Sequence, residues 1–150
     1  MFACNDILIS VAPTHTRALL SGRKTVELRR RRIHVKGGTR IWIYSKVPVG
    51  SIEATAVVER TCQADPESLW SEFHRAVGIT RTAFDEYFEG CVRGCAVVLR
   101  DVSPVYPAMQ LAQLRTEFDG FHPPQFFKRL RWDHIKELTE RIESSRRKSH

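Results

Sequence analysis

The chain has few cysteines and no arrangement of them that would organise a fold. Cys4, Cys62, Cys91 and Cys95 are scattered over 150 residues. Cys91 and Cys95 are spaced C-x3-C, but no histidine lies nearby to complete a zinc set. They read as buried, reduced thiols, as expected of a cytosolic protein. The histidines His15, His34, His74, His122 and His134 show neither metal-ligand nor triad spacing. No Gly-x-Gly-x-x-Gly, phosphate-binding loop or nucleophile elbow occurs, so the common nucleotide-binding and hydrolase signatures are missing. Met1 to Asn5 lacks a basic signal-peptide start, and the apolar run Ile7-Leu8-Ile9 is too short to span a membrane. These absences predict a soluble cytoplasmic protein with no membrane association, no metal and no cofactor. Internal repeats are also absent.

Carboxylates are scarce in one stretch in particular. Between Asp6 and Glu53 the only one is Glu27. From Arg23 to Lys46 there are nine Lys/Arg and this single acid, a local charge of +8. The whole chain carries +7, so everything else sums to about −1. The basicity is therefore a local surface, and a concentrated basic surface attracts polyanions, nucleic acid above all. The 42% hydrophobic content supports a real core, and the length fits one domain.

Patterning gives a coarse map. Asp6 to Val11 reads as a strand and Thr14 to Leu20 as a short helix stopped by Ser21-Gly22. Lys24 to Arg30 alternates, with Val26 and Leu28 on one face and Thr25, Glu27 and Arg29 on the other. Thr39 to Tyr44 and Ser51 to Thr61 read as strands. Asp65 and Thr80 cap two helices. The aromatics Trp42, Trp70, Phe73, Phe84, Tyr87 and Phe88 fit a core better than a nucleotide platform. Gly94 to Val102 is another strand, and Pro107 to Leu114 a short helix or turn. Trp132 to Ile142 is helical, with Ile135, Leu138 and Ile142 on one stripe. Strands interleaved with short helices suggest an α+β fold, a compact barrel with helical inserts.

In order, the chain carries Ser-Gly-Arg-Lys-Thr-Val-Glu-Leu-Arg-Arg (Ser21 to Arg30), Ile-Tyr-Ser-Lys-Val-Pro-Val-Gly (Ile43 to Gly50), Leu69-Trp70, Phe-Asp-Glu-Tyr-Phe-Glu-Gly (Phe84 to Gly90) and Pro-Pro-Gln-Phe-Phe (Pro123 to Phe127). This succession resembles the ASCH family of the PUA-like superfamily. The resemblance spans roughly Ile7 to Leu130. It implies an ASCH/PUA-like domain over 1–130, a small mixed β-barrel with flanking helices and a basic cleft at one side. A C-terminal helix and basic tail follow over 131–150. It further implies an RNA-related role, with RNA, single-stranded nucleic acid or a modified nucleotide as the partner.

The family's Gly-x-Lys-x-x-x-x-Arg pattern falls on Gly22, Lys24 and Arg29. Carried over, it puts Lys24 and Glu27 in the cleft. A partly desolvated lysine can do acid–base work, and a carboxylate can accept a hydrogen bond from a base amino group. Arg23, Arg29, Arg30, Arg31 and Arg32 are candidate phosphate contacts. Ser45 and Lys46 end a strand where a barrel presents groups to a cleft. Gln125, held by two prolines, could pair with a base edge while Phe126 stacks. The favoured expectation is a nucleic-acid-binding module. The alternatives are a metal-free enzyme, with Lys24 and Glu27 as its catalytic pair, acting as a ribonuclease or an amidohydrolase of acetylated cytidine. A transcription-coactivator type of interaction module is the third. One departure matters: amidohydrolase-like members carry threonine three positions after the lysine, where this chain has Glu27.

Overall fold

The computed structural model describes residues 6–117, 121–125, 127–131 and 135–140. Among the described residues six strands form one sheet: β1 (Ile7–Val11), β2 (Val26–Arg29), β3 (Arg40–Ser45), β4 (Ser51–Ala64), β5 (Gly94–Gln110) and β6 (Phe127–Arg129). Their order is β2-β5-β4-β3-β1-β6. Only β1 and β3 run parallel, Ile7 opposite Ile41 and Val11 opposite Ser45. The crossover between them carries helix α1 (Pro13–Leu20) and β2. The sheet curls into a half-barrel, helped by the three register shifts between β4 and β5, since bulges bend and twist a strand. The expected α+β, PUA-like barrel is therefore what the chain forms.

Alternation decides what fills the inside. Ile7, Ile9 and Val11 of β1 meet Ile41 and Ile43 of β3, Ala54, Ala56 and Val58 of β4, and Val97 and Leu99 of β5 in one buried cluster. Small residues on β4 let the long strands bend around branched ones on β1 and β3. Leu8 and Trp42 point to the other face and pack with Met109, Leu114, Leu130, Ile135 and Leu138. Thus Ile135 and Leu138 of the apolar stripe expected in the C-terminal segment are consumed within the chain, in the helical residues 135–140, while Ile142 lies outside the described residues.

Helices α2 (Pro66–Phe73) and α3 (Arg81–Tyr87) start where the sequence places them. Asp65 accepts from the Ser68 N–H at 3.0 Å, and Thr80 from the Ala83 N–H at 3.2 Å. Leu69, Phe73 and Phe84 then cover Val26 and Leu28, the outward face of β2. One expectation needs correcting. Pro107 to Gln110 continues β5, and helix α4 begins only at Leu111 and runs to Glu117. Pairing of Met109 with Ile52 buries Met109, and this burial overrides the turn signal of the prolines. Cys95 is a buried thiol as expected, whereas Cys62 and Cys91 are only half-buried.

Candidate functional site

The two ends of the sheet order are the edge strand β2 and the pair β1–β6, and they approach without strand pairing. The charged residues of β2 occupy this seam. Val26 and Leu28 take the helix-covered face, so Glu27 and Arg29 turn inward beside Val97 and Cys95, their partners on β5. Arg29 reaches across and donates to the Ser10 carbonyl of β1 at 3.1 Å. It also donates to Glu27 Oε2 at 2.9 Å. Glu27 Oε1 lies 3.5 Å from Lys24 Nζ, which donates to the Val77 carbonyl at 2.8 Å. One carboxylate thus holds two cations, and all three are almost fully buried: Lys24 at 1%, Glu27 at 5% and Arg29 at 8% exposure.

The backbone around Lys24 is built for this. Thr25 and Val26 N–H groups both donate to the Ala76 carbonyl, laying residues 76–78 over the start of β2. Gly78 has φ +68, and a Cβ there would come within 3.0 Å of the Lys24 Cβ. Only glycine lets the Val77 carbonyl approach the lysine in this way. Burial lowers the Lys24 pKa below 10.5, with Arg29 adding to the effect and Glu27 opposing it.

A cleft of about 280 Å³ opens above this triad. Its charged lining is Lys24, Glu27, Arg29 and Lys46, joined by His15 of α1. Its apolar wall is Leu28, Ile79, Ala83 and Tyr87, and Ser10 to Ala12 close the side along β1. Lys46 is placed at the rim by its N–H bond to the Val11 carbonyl, 2.9 Å. Burial lowers the His15 pKa below 6.5, assisted by Lys24, Arg29 and Lys46 and opposed by Glu27. At neutral pH His15 is therefore an uncharged base that shares the cleft lining with Lys24, Glu27, Arg29 and Lys46. Tyr87 donates its hydroxyl to the Leu28 carbonyl at 3.1 Å and keeps 37% of its surface exposed. Such a group can accept a proton at His15, give one from Lys24, and hold an anion between Lys24, Arg29 and Lys46.

The sequence candidates separate into three groups. Lys24, Glu27, Arg29 and Lys46 come together in the cleft. Arg23, Arg30, Arg31 and Arg32 are exposed and do not line it, and Arg30 donates to the Glu89 carbonyl at 3.1 Å. The alternation read over Lys24 to Arg30 stops one residue early, because β2 ends at Arg29, so Arg30 to Arg32 lie beyond the strand. Ser45 is fully buried and shares a 2.6 Å hydrogen bond with Thr16, pinning α1 to β3, so it does not face the cleft. Gln125 is exposed and away from the cleft lining, and Phe126 lies outside the described residues. His15 and Tyr87 were not anticipated as cleft residues. Tyr87 sits between Phe84 and Phe88 as the hydroxyl-bearing aromatic of that stretch, and its hydroxyl was the available signal. His15 had none beyond its position just after the β1–α1 corner. Among the described residues no group of three or more His, Cys, Asp or Glu comes together to hold a metal ion. Among the same residues no helix is long and apolar enough to cross a membrane.

A curled mixed half-barrel sheet with short helices is the architecture of a PUA-like domain. No family model matches the sequence. Similarity to individual proteins is nonetheless extensive. Over 133 residues the chain is 37% identical to the ASCH domain-containing ribonuclease of Zymomonas mobilis, covering 89% of each chain. The crystal structure of ASCH from Zymomonas mobilis superposes with a TM-score of 0.87 at 35% identity, covering 92% of this chain and 96% of that one. The chain belongs to the ASCH domain family. More distantly, the N-terminal domain of Staphylothermus marinus McrB shares the fold, with a TM-score of 0.57 and 12% identity over 91% of this chain and 93% of that one.

Proposed function

We propose that this chain is a ribonuclease that cleaves single-stranded RNA in the seam cleft. The observation that carries the reading is the buried Lys24–Glu27–Arg29 triad flooring a cleft that also holds an uncharged histidine. The similarity to the ASCH domain-containing ribonuclease of Zymomonas mobilis supports it. In this reading Arg29 and Lys46 bear the phosphate charge, and Glu27 keeps Arg29 and Lys24 in place. His15 accepts the proton of the attacking ribose 2′-hydroxyl as the new P–O bond forms. The P–O bond to the leaving nucleoside breaks, and that oxygen takes a proton from the Lys24 ammonium. Val77 and Glu27 account for two of the three ammonium protons. A lysine acidified by burial gives up a proton more readily than a surface lysine. Tyr87 offers an aromatic face to a base.

The test incubates pure protein with single-stranded RNA, with and without a divalent cation, and follows product size. Acetylated cytidine is assayed in parallel. Strand cleavage supports the proposal. Deacetylation with intact RNA would move the assignment to the amidohydrolase alternative, against the Glu27-for-threonine departure. Binding without either product would leave a nucleic-acid-binding module, the expectation drawn first from the charge pattern.

A further inference from the structure

A second cavity lies at the opposite end of the same seam. It measures about 360 Å³ and is lined by His34, Val35, Lys36, Thr39 and Arg129. Three of its five lining residues carry or can carry positive charge, and none is acidic. His34, Lys36 and Arg129 are all exposed. The seam is crossed here as it is at the first cleft, by a guanidinium on a carbonyl: Arg129 of β6 donates to the His34 carbonyl at 2.8 Å. The arginine head is thereby fixed at the cavity wall.

Segment 30–39 joins the two cavities. It leaves the first at Arg29, passes through the exposed Arg30, Arg31 and Arg32, buries Ile33, and reaches the second at His34. Ile33 and Val35 pack against the barrel's inner cluster, so this path is anchored and not a free basic tail. The registers give the separation. Arg29 meets β1 at Ser10, whereas Arg129 pairs with Ile7. Three strand residues place the two crossings about 10 Å apart along β1. That span exceeds one phosphate group, so no single phosphate fills both sites, whereas a continuous strand can.

We propose that the His34–Lys36–Arg129 cavity is a phosphate subsite for the same single-stranded RNA whose reacting nucleotide occupies the first cleft. The inference rests on the ribonuclease reading above for the identity of the strand. It assigns a job to the arginine run, which the first cleft leaves outside. The strand follows Arg30 to Arg32 from one cavity to the other, with a backbone phosphate held by Lys36, Arg129 and the His34 ring.

The test compares wild-type protein with His34→Ala/Lys36→Ala, both at exposed side chains. His34 uses its carbonyl, not its ring, to hold Arg129, so that bond survives. Arg93→Ala is the charge-matched control, since Arg93 is exposed and bonds the Gln63 carbonyl away from both cavities. Binding and cleavage are measured on a dinucleotide and on an oligonucleotide of about ten residues, within the range small barrels cover. The double variant should lose about tenfold in affinity for the decamer and leave dinucleotide cleavage unchanged. Its slope of log affinity against log salt should flatten by about 0.7, one phosphate contact on a single strand. Equal decamer affinity and equal slope in wild type and double variant would overturn the subsite, while cleavage by both proteins would leave the ribonuclease reading intact. Failure of wild type to cleave any RNA would instead remove that reading. The length-dependent binding comparison would still decide the subsite in that case.

Discussion

Replacing Glu27 with glutamine removes the one negative charge between Lys24 and Arg29 while keeping its shape. Both cations stay buried, at 1% and 8% exposure. Each keeps one carbonyl partner, Val77 for Lys24 and Ser10 for Arg29, so neither loses all its hydrogen bonds. What is lost is the countercharge, and the new amide points an N–H toward a cation. Breaking a fully buried ion pair costs about 3–5 kcal/mol. This triad floors an open cleft, where water can enter, so a cost of about 2–3 kcal/mol is expected. With a slope near 1–3 kcal/mol/M for a small domain, the urea midpoint should fall by roughly 1–2 M. The joint variant Lys24→Met/Glu27→Leu/Arg29→Met removes all three charges. It should recover to within about 1 kcal/mol of wild type, because apolar replacement of a whole buried network is often neutral. Recovery of stability with complete loss of cleavage would show that the triad is kept for chemistry. An unmoved midpoint for Glu27→Gln would mean the triad is fully solvated and refute its preorganisation.

Further outcomes follow from the same geometry. His15 has a lowered pKa, so as pH falls below 6.5 the unfolded chain takes up its proton first and stability declines down to the folded value. In His15→Gln, thermal melts from pH 7 to 5 should show a shallower decline; an identical decline would place His15 in solvent. Lys24 gives the alkaline counterpart: stability should rise as pH climbs from its lowered value toward 10.5, and Lys24→Met should abolish that rise. Gly78→Ala should cost about 1–3 kcal/mol, from the positive φ and the crowded Lys24 stem, and slow cleavage; unchanged stability and rate would show that the 76–78 turn does not position Lys24. Leu138→Ala should cost about 2–4 kcal/mol, because Leu138 is 2% exposed in the cluster with Leu8 and Trp42; a loss below 0.5 kcal/mol, well under the usual cost of a buried leucine, would mean residues 135–140 do not pack there.

Much of the fold was legible because its elements are locally signalled. Asp65 and Thr80 mark helix starts, and the alternation in Val26-Glu27-Leu28-Arg29 separates apolar from charged residues, although which face the helices cover was not legible. The end of β5 was not legible, since long-range pairing to Ser51 and Ile52 outweighs two prolines. The site was half legible. Lys24 and Glu27 stand out because a lone acid in a basic run needs a reason. Arg29 was found, but as a phosphate contact like its neighbours. Only the strand ending at residue 29 shows that it turns inward while Arg30 to Arg32 face solvent. His15 and Tyr87 reach the cleft from separate helices, and no local pattern encodes that convergence.

The central claim is that the Lys24 end of the triad performs proton transfer and does not merely attract RNA. Single-turnover cleavage of one RNA oligonucleotide by Lys24→Met, with affinity measured on the same RNA, tests it most directly. The account predicts a rate lower by about 10²–10⁴-fold, the usual worth of a general acid, with affinity within a few-fold of wild type. A wild-type cleavage rate, or a rate loss matched by an equal loss of affinity, would contradict it.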